Sequence, residues 1–73
     1  MSNKTYNQSK DQVDGEHYKS LTIQPTTYIH ANGIPFIEGN VIKYVTRHRE
    51  KGGRKDIEKA IHYLQTLLEI EYS

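Results

Sequence analysis

The sequence predicts an all-α fold: a short N-terminal helix, then an antiparallel helical hairpin, preceded by a flexible N-terminal arm and completed by oligomerisation. Three observations predict it. Ile57, Ala60, Ile61, Leu64, Leu67 and Leu68 recur at helical spacing on one arc of about 120°. Ile37, Val41, Ile42, Tyr44 and Val45 form a second arc of about 160°. Between the two sets stands Gly52-Gly53, a break short enough to force the two helices back along one another.

Each element has a local cause. Residues 1–14, M-S-N-K-T-Y-N-Q-S-K-D-Q-V-D, are polar and aperiodic and read as the flexible arm. Residues 15–73 then make up the helical domain. From Gly15 to Gln24 the chain reads as an extended lead-in, with Leu21 and Ile23 alternating and no strand to pair with. Pro25 suits the first position of a short helix, and Asn32-Gly33 supplies its stop signal. Pro35 opens the second helix, predicted from Phe36 to about Arg49. Gly39 lies inside it at a cost of about 1 kcal/mol relative to alanine, so either a neighbouring helix or a ligand comes close there. The last helix is predicted from about Arg54 to Tyr72.

Composition narrows the field. With 73 residues and only 34% of them apolar, one lean domain sits near the limit of independent stability, so self-association into a homo-oligomer is expected. There is no cysteine, which rules out disulfides and thiolate metal sites. No apolar run approaches the roughly 20 residues that span a bilayer, and no signal-peptide pattern is visible. A cytoplasmic protein without a membrane partner is expected. Charge is uneven along the chain: residues 36–54 carry five Lys or Arg against two Glu, and residues 55–73 two Lys against four acids. A local basic patch on a chain of net charge +1 favours a small anionic ligand over a long polyanion.

The patch has a shape. Asn40, Lys43, Arg47 and Lys51 fall within about 80° of one another on the second helix, clear of its apolar arc. This stripe leads into Gly52-Gly53, whose amides, together with the start of the next helix, suit a phosphate group. Lys and Arg would neutralise phosphate oxygens, and Asn40 would read a base or sugar edge. Tyr44 lies at the border of the apolar and basic faces. Asp56, Lys59 and Tyr63 flank the apolar arc of the last helix and line the same cleft. His17 and Tyr18, before the first helix, are candidates to donate to phosphate and to stack on a base. The competing reading is a solvated helix face whose cations pair with acids such as Asp56.

Other chemistries find no support. The four histidines are spread over separate segments without H-E-x-x-H spacing, so no metal site is expected. No Walker P-loop and no nucleophile elbow occur. Glu38, Glu50 and Asp56 share no helix face, so the paired carboxylates of helical pyrophosphohydrolases are missing. No catalytic residue is assigned.

The series H-Y-K, I-Q-P, G-N-V-I-K-Y-V-x-R and K-G-G-x-x-D-I-x-K-A-x-x-Y-L, from His17 to about Leu68, resembles a small phage and prophage family. That family was long catalogued as a domain of unknown function and is sometimes called SaV-like. A similar domain occurs in a larger nucleotide kinase of a short-tailed coliphage. The resemblance implies a bacteriophage protein that handles nucleotides in the host cytoplasm. Its motif positions here are His17, Tyr18, Pro25, Gly39, Asn40, Lys43, Tyr44, Arg47, Lys51, Gly52, Gly53, Asp56, Lys59, Ala60 and Tyr63.

The expected function is non-enzymatic binding of a phosphorylated small molecule, a nucleotide, sequestered as a signal of host immunity. Such a binder needs no cofactor. One alternative is a nucleoside monophosphate kinase or its accessory subunit, which would need Mg²⁺ and ATP. Another is a helix-turn-helix module for duplex DNA. Against that stands the last helix, with four acids to three Lys or Arg.

Overall fold

The computed structural model describes residues 20–73. Among these, three helices follow in order: α1 (Pro25–Ala31), α2 (Phe36–Arg47) and α3 (Arg54–Tyr72). The expected all-α hairpin with a short leading helix is what the chain forms. Pro25 occupies the start of α1 and is buried there. Asn32 closes α1, its side-chain amide donating to the Tyr28 carbonyl at 2.9 Å. Ile34 N–H then bonds back to the Ile29 carbonyl at 3.0 Å, and Pro35 stands as the N-cap of α2.

α2 ends two residues earlier than expected, at Arg47. His48 keeps a helical conformation as C-cap, but the chain then tightens into a turn. Lys51 N–H still reaches the Arg47 carbonyl at 3.0 Å, and Gly53 N–H reaches that of His48 at 2.8 Å. Gly53 itself, the N-cap of α3, has φ 57° and ψ −133°. That region is open to glycine and closed to residues with a Cβ, so the reversal is written into this position.

The hairpin is asymmetric. α2 has 12 residues and α3 has 19, so they span about 18 Å and about 28 Å. Phe36, the first residue of α2, meets Tyr63 edge-on with ring centroids 6.4 Å apart. The part of α3 beyond Tyr63 therefore runs past the start of α2, consistent with the 44 × 26 × 19 Å extents. α1 crosses onto α2 at Gly39, where an added Cβ would lie 3.0 Å from Ile29 Cγ2. The neighbour that needs this glycine is thus a helix.

The core corrects one expectation. The apolar arc of α3 does not go inside as a unit: Ala60 is buried, whereas Ile61, Leu64 and Leu68 are exposed. Val45, expected on the inner arc of α2, is exposed too. The wheel places Ala60, Tyr63 and Leu67 toward α2 and leaves the other half of the arc pointing away from it. Among the described residues Ala60 is the one fully buried apolar side chain of α3, and at the hairpin's closed end the buried side chain is Asp56.

Candidate functional site: a cationic aromatic groove on α3

Two neighbouring polar constellations occupy the hairpin, and they do different work. The first is a clasp at the turn. Asp56, in the first turn of α3, is 1% exposed. One of its carboxylate oxygens accepts from Arg47 Nη2 at 3.0 Å; the other accepts from Arg47 Nε at 3.0 Å and from Gly52 N–H at 2.9 Å. The planar guanidinium fork and the two carboxylate oxygens match in a bidentate pair, the strongest form of charged hydrogen bond. As in a capping box, the side chain of the third helical residue turns back on the chain entering the helix, where it also faces the positive end of the helix dipole. A Cβ at Gly52 would collide with the Asp56 carboxyl, so only glycine lets the backbone come this close. The Arg47 hydrogen bond holds the Asp56 carboxyl below its ordinary pKa despite burial, helped by the Gly52 amide and the charges of Arg47 and Lys59.

The second constellation opens outward. Tyr44 on α2 stacks on Tyr63 of α3, with ring centroids 6.0 Å apart and planes 12° from parallel. Around the Tyr44 ring gather Lys43 Nζ at 5.1 Å, Arg47 Cζ at 5.0 Å and Lys59 Nζ at 5.2 Å from its centroid. The ring quadrupole attracts each cation and lets three of them share one neighbourhood. Beside them lies an open groove of about 430 Å³ lined by Tyr44, Lys55, Glu58, Lys59, His62 and Tyr63. Glu58 is tied to Arg54 by a 2.8 Å ion pair on the rim. His62 lies edge-on to Tyr63, with centroids 5.9 Å apart.

The residues singled out from sequence are therefore divided by the structure. Lys43, Tyr44, Arg47, Lys59 and Tyr63 come together around one ring stack. Gly52, Gly53 and Asp56 form the clasp and its reversal, and the two glycine amides expected to face an anion are bonded to Asp56 and to His48. The competing reading, in which the stripe's cations pair with acids such as Asp56, holds for Arg47, with the acid buried and the guanidinium half-buried. Lys51 is exposed in the turn beyond α2, and Asn40 is half-buried on α2. His17 and Tyr18 lie outside the described residues.

Sequence reasoning missed Lys55, Glu58 and His62. A signal existed: Lys55, Lys59, His62 and Tyr63 follow one another at i, i+4, i+7 and i+8, a cationic and aromatic flank of a single helix face. Among the described residues, no group of three or more His, Asp or Glu side chains is arranged to hold a metal ion. No helix of the described residues is long and apolar enough to cross a membrane.

The family model described as a protein of unknown function (DUF3310) matches residues 9–65. The chain belongs to this family. No curated protein and no solved structure matches the chain. Membership covers the whole hairpin turn, the clasp and the groove, and stops short of the last turns of α3.

Proposed function

We propose that this member of the family is a small nucleotide-binding protein that acts by holding its ligand rather than by transforming it. The observation that supports this reading is an open groove in which Lys55 and Lys59 stand beside the Tyr44–Tyr63 stack, with Lys43 Nζ at 5.1 Å and Arg47 Cζ at 5.0 Å from the Tyr44 ring centroid. Lys55 and Lys59 line that groove, so an anion entering it meets two cations in a partly desolvated site, where charge attraction is stronger than in open water. A phosphate placed there leaves the attached base within reach of the aromatic ledge, where stacking is worth about 1–3 kcal/mol. A volume of about 430 Å³ falls within the range of small-ligand sites.

Support for binding over catalysis comes from the carboxylates. Asp56 is committed to Arg47 and Gly52, and Glu58 to Arg54, so the acids nearest the cations already serve as structural acceptors. The resemblance to phage and prophage proteins supports placing the binder in an infected cell, where sequestering a phosphorylated immune signal would be its use. The same resemblance is what would support a kinase.

Isothermal titration with mono-, cyclic and oligonucleotides, followed by chromatography of the recovered ligand, tests the reading. Saturable binding with the ligand returned intact is expected. Altered ligand, or turnover of a nucleoside monophosphate with ATP and Mg²⁺, would replace it with an enzyme.

A further inference from the structure

The exposed half of α3 has a pattern of its own. Arg54, Ile57, Ile61, Leu64, Leu68 and Glu71 follow at spacings of three, four, three, four and three, a strict 3.5-residue repeat over about two and a half heptads. Ile57 is half-buried, Ile61 is 49% exposed, Leu64 46% and Leu68 60%; Arg54, paired with Glu58 of its own helix, keeps an 88% exposed side chain that can take a second acceptor. Ala60 and Leu67 flank this seam on the side of α2, while Lys55, Lys59 and His62 lie on the opposite side of the helix. The seam is apolar in the middle, cationic at its first position and anionic at its last.

We propose that this seam pairs with the same seam of a second copy, antiparallel, so that two hairpins make a four-helix dimer. The register follows from the sequence. With the two-fold axis between residues 62 and 63, Ile61 of one copy layers on Leu64 of the other, Ile57 on Leu68, and Arg54 on Glu71. Every layer is then apolar on apolar or opposite charge on opposite charge, and the interface is self-complementary as two-fold symmetry requires. A parallel pair in register would set Arg54 against Arg54 and Glu71 against Glu71, which is repulsive at both ends.

The helix dipole argues the same way. The last turn of α3 contains no basic residue, and Glu69 and Glu71 sit at its negative end. An antiparallel neighbour brings the Arg54 end of its own α3 to that place. The groove beside Tyr44 and Tyr63 stays open in this arrangement, so the dimer stands or falls independently of nucleotide binding.

Sedimentation equilibrium of the full chain tests the proposal, with circular dichroism confirming that each variant keeps its helices. The wild-type chain is expected at the mass of two copies. Glu71→Arg, which improves the helix's own dipole match, should weaken the assembly at least about tenfold by setting cation against cation at both ends. Adding Arg54→Glu to it should restore assembly. A mass of one chain, as follows if another part of the chain covers this face, overturns the proposal. So does an assembly that Glu71→Arg leaves as strong as before.

Discussion

The two ends of α3 solve the same problem in opposite ways. At its start, Asp56 is buried with its carboxylate oxygens answered by Arg47 and the Gly52 amide, and the backbone passes too close for any side chain at residue 52. At its far end, beyond Tyr63, the helix outruns α2 and leaves Leu68, Ile70 and Tyr72 largely exposed. One end is closed by polar chemistry, the other left open with apolar side chains. Among the described residues, then, the closed end rests on a buried charged clasp, while the open end leaves apolar side chains exposed.

Breaking the closed end should have the largest effect. Asp56→Ala removes the bidentate acceptor of the half-buried Arg47 guanidinium and the acceptor of the Gly52 amide, at a cost of about 3 kcal/mol or more, a large share of the stability of so small a domain. Urea unfolding followed by circular dichroism should show it as a marked drop in midpoint. Gly52→Ala should act nearly as strongly, because the new methyl group takes the place of the carboxyl. Loss of stability similar to that of an exposed-site change would contradict the clasp.

Acid sharpens the comparison. The Asp56 pKa is lowered in the fold, chiefly by its hydrogen bond to Arg47. Its contribution is complete above the unfolded value of about 3.9 and is lost as pH falls through the lower folded value. The chain should therefore lose stability below about pH 4, and Asp56→Asn should flatten that part of the profile. Next comes Gly39→Ala, which presses a methyl group to 3.0 Å from Ile29 Cγ2 while gaining helix propensity. The two effects oppose, and a net change within about 1 kcal/mol is expected. The smallest effect belongs to the open end: Ile70→Ser, at a site 65% exposed and off the proposed dimer seam, should change the midpoint by no more than about 0.5 kcal/mol equivalent.

What could be read from the sequence follows from what periodicity encodes. The limits of α3 were legible because apolar positions recur through Leu68 and paired glycines precede Arg54. The predicted end of α2, at about Arg49, lies two residues beyond the observed one, since His48 and Arg49 do not themselves break a helix; the turn bonds from Lys51 and Gly53 back to Arg47 and His48 mark its end. A wheel also cannot say how much of an apolar arc finds a partner, and the part that carries Ile61, Leu64 and Leu68 stays exposed. Lys43, Tyr44, Lys59 and Tyr63 were correctly brought to one place by treating the hairpin as antiparallel. The division between Arg47 with Asp56 as clasp and Lys55 with Lys59 as groove was not legible, because it depends on which way each side chain turns.

That division also determines how binding should be tested, since Arg47→Ala would unseat Asp56 and confuse lost folding with lost affinity. The most direct measurement is the nucleotide affinity of Lys59→Ala beside that of Lys51→Ala, by isothermal titration on variants of confirmed helicity. A groove ligand held by charge-assisted contacts predicts that Lys59→Ala weakens binding by about tenfold or more, and that Lys51→Ala does far less. Equal affinity in Lys59→Ala and wild type, or a larger loss at Lys51 than at Lys59, would move the ligand away from the Tyr44–Tyr63 stack and contradict the account.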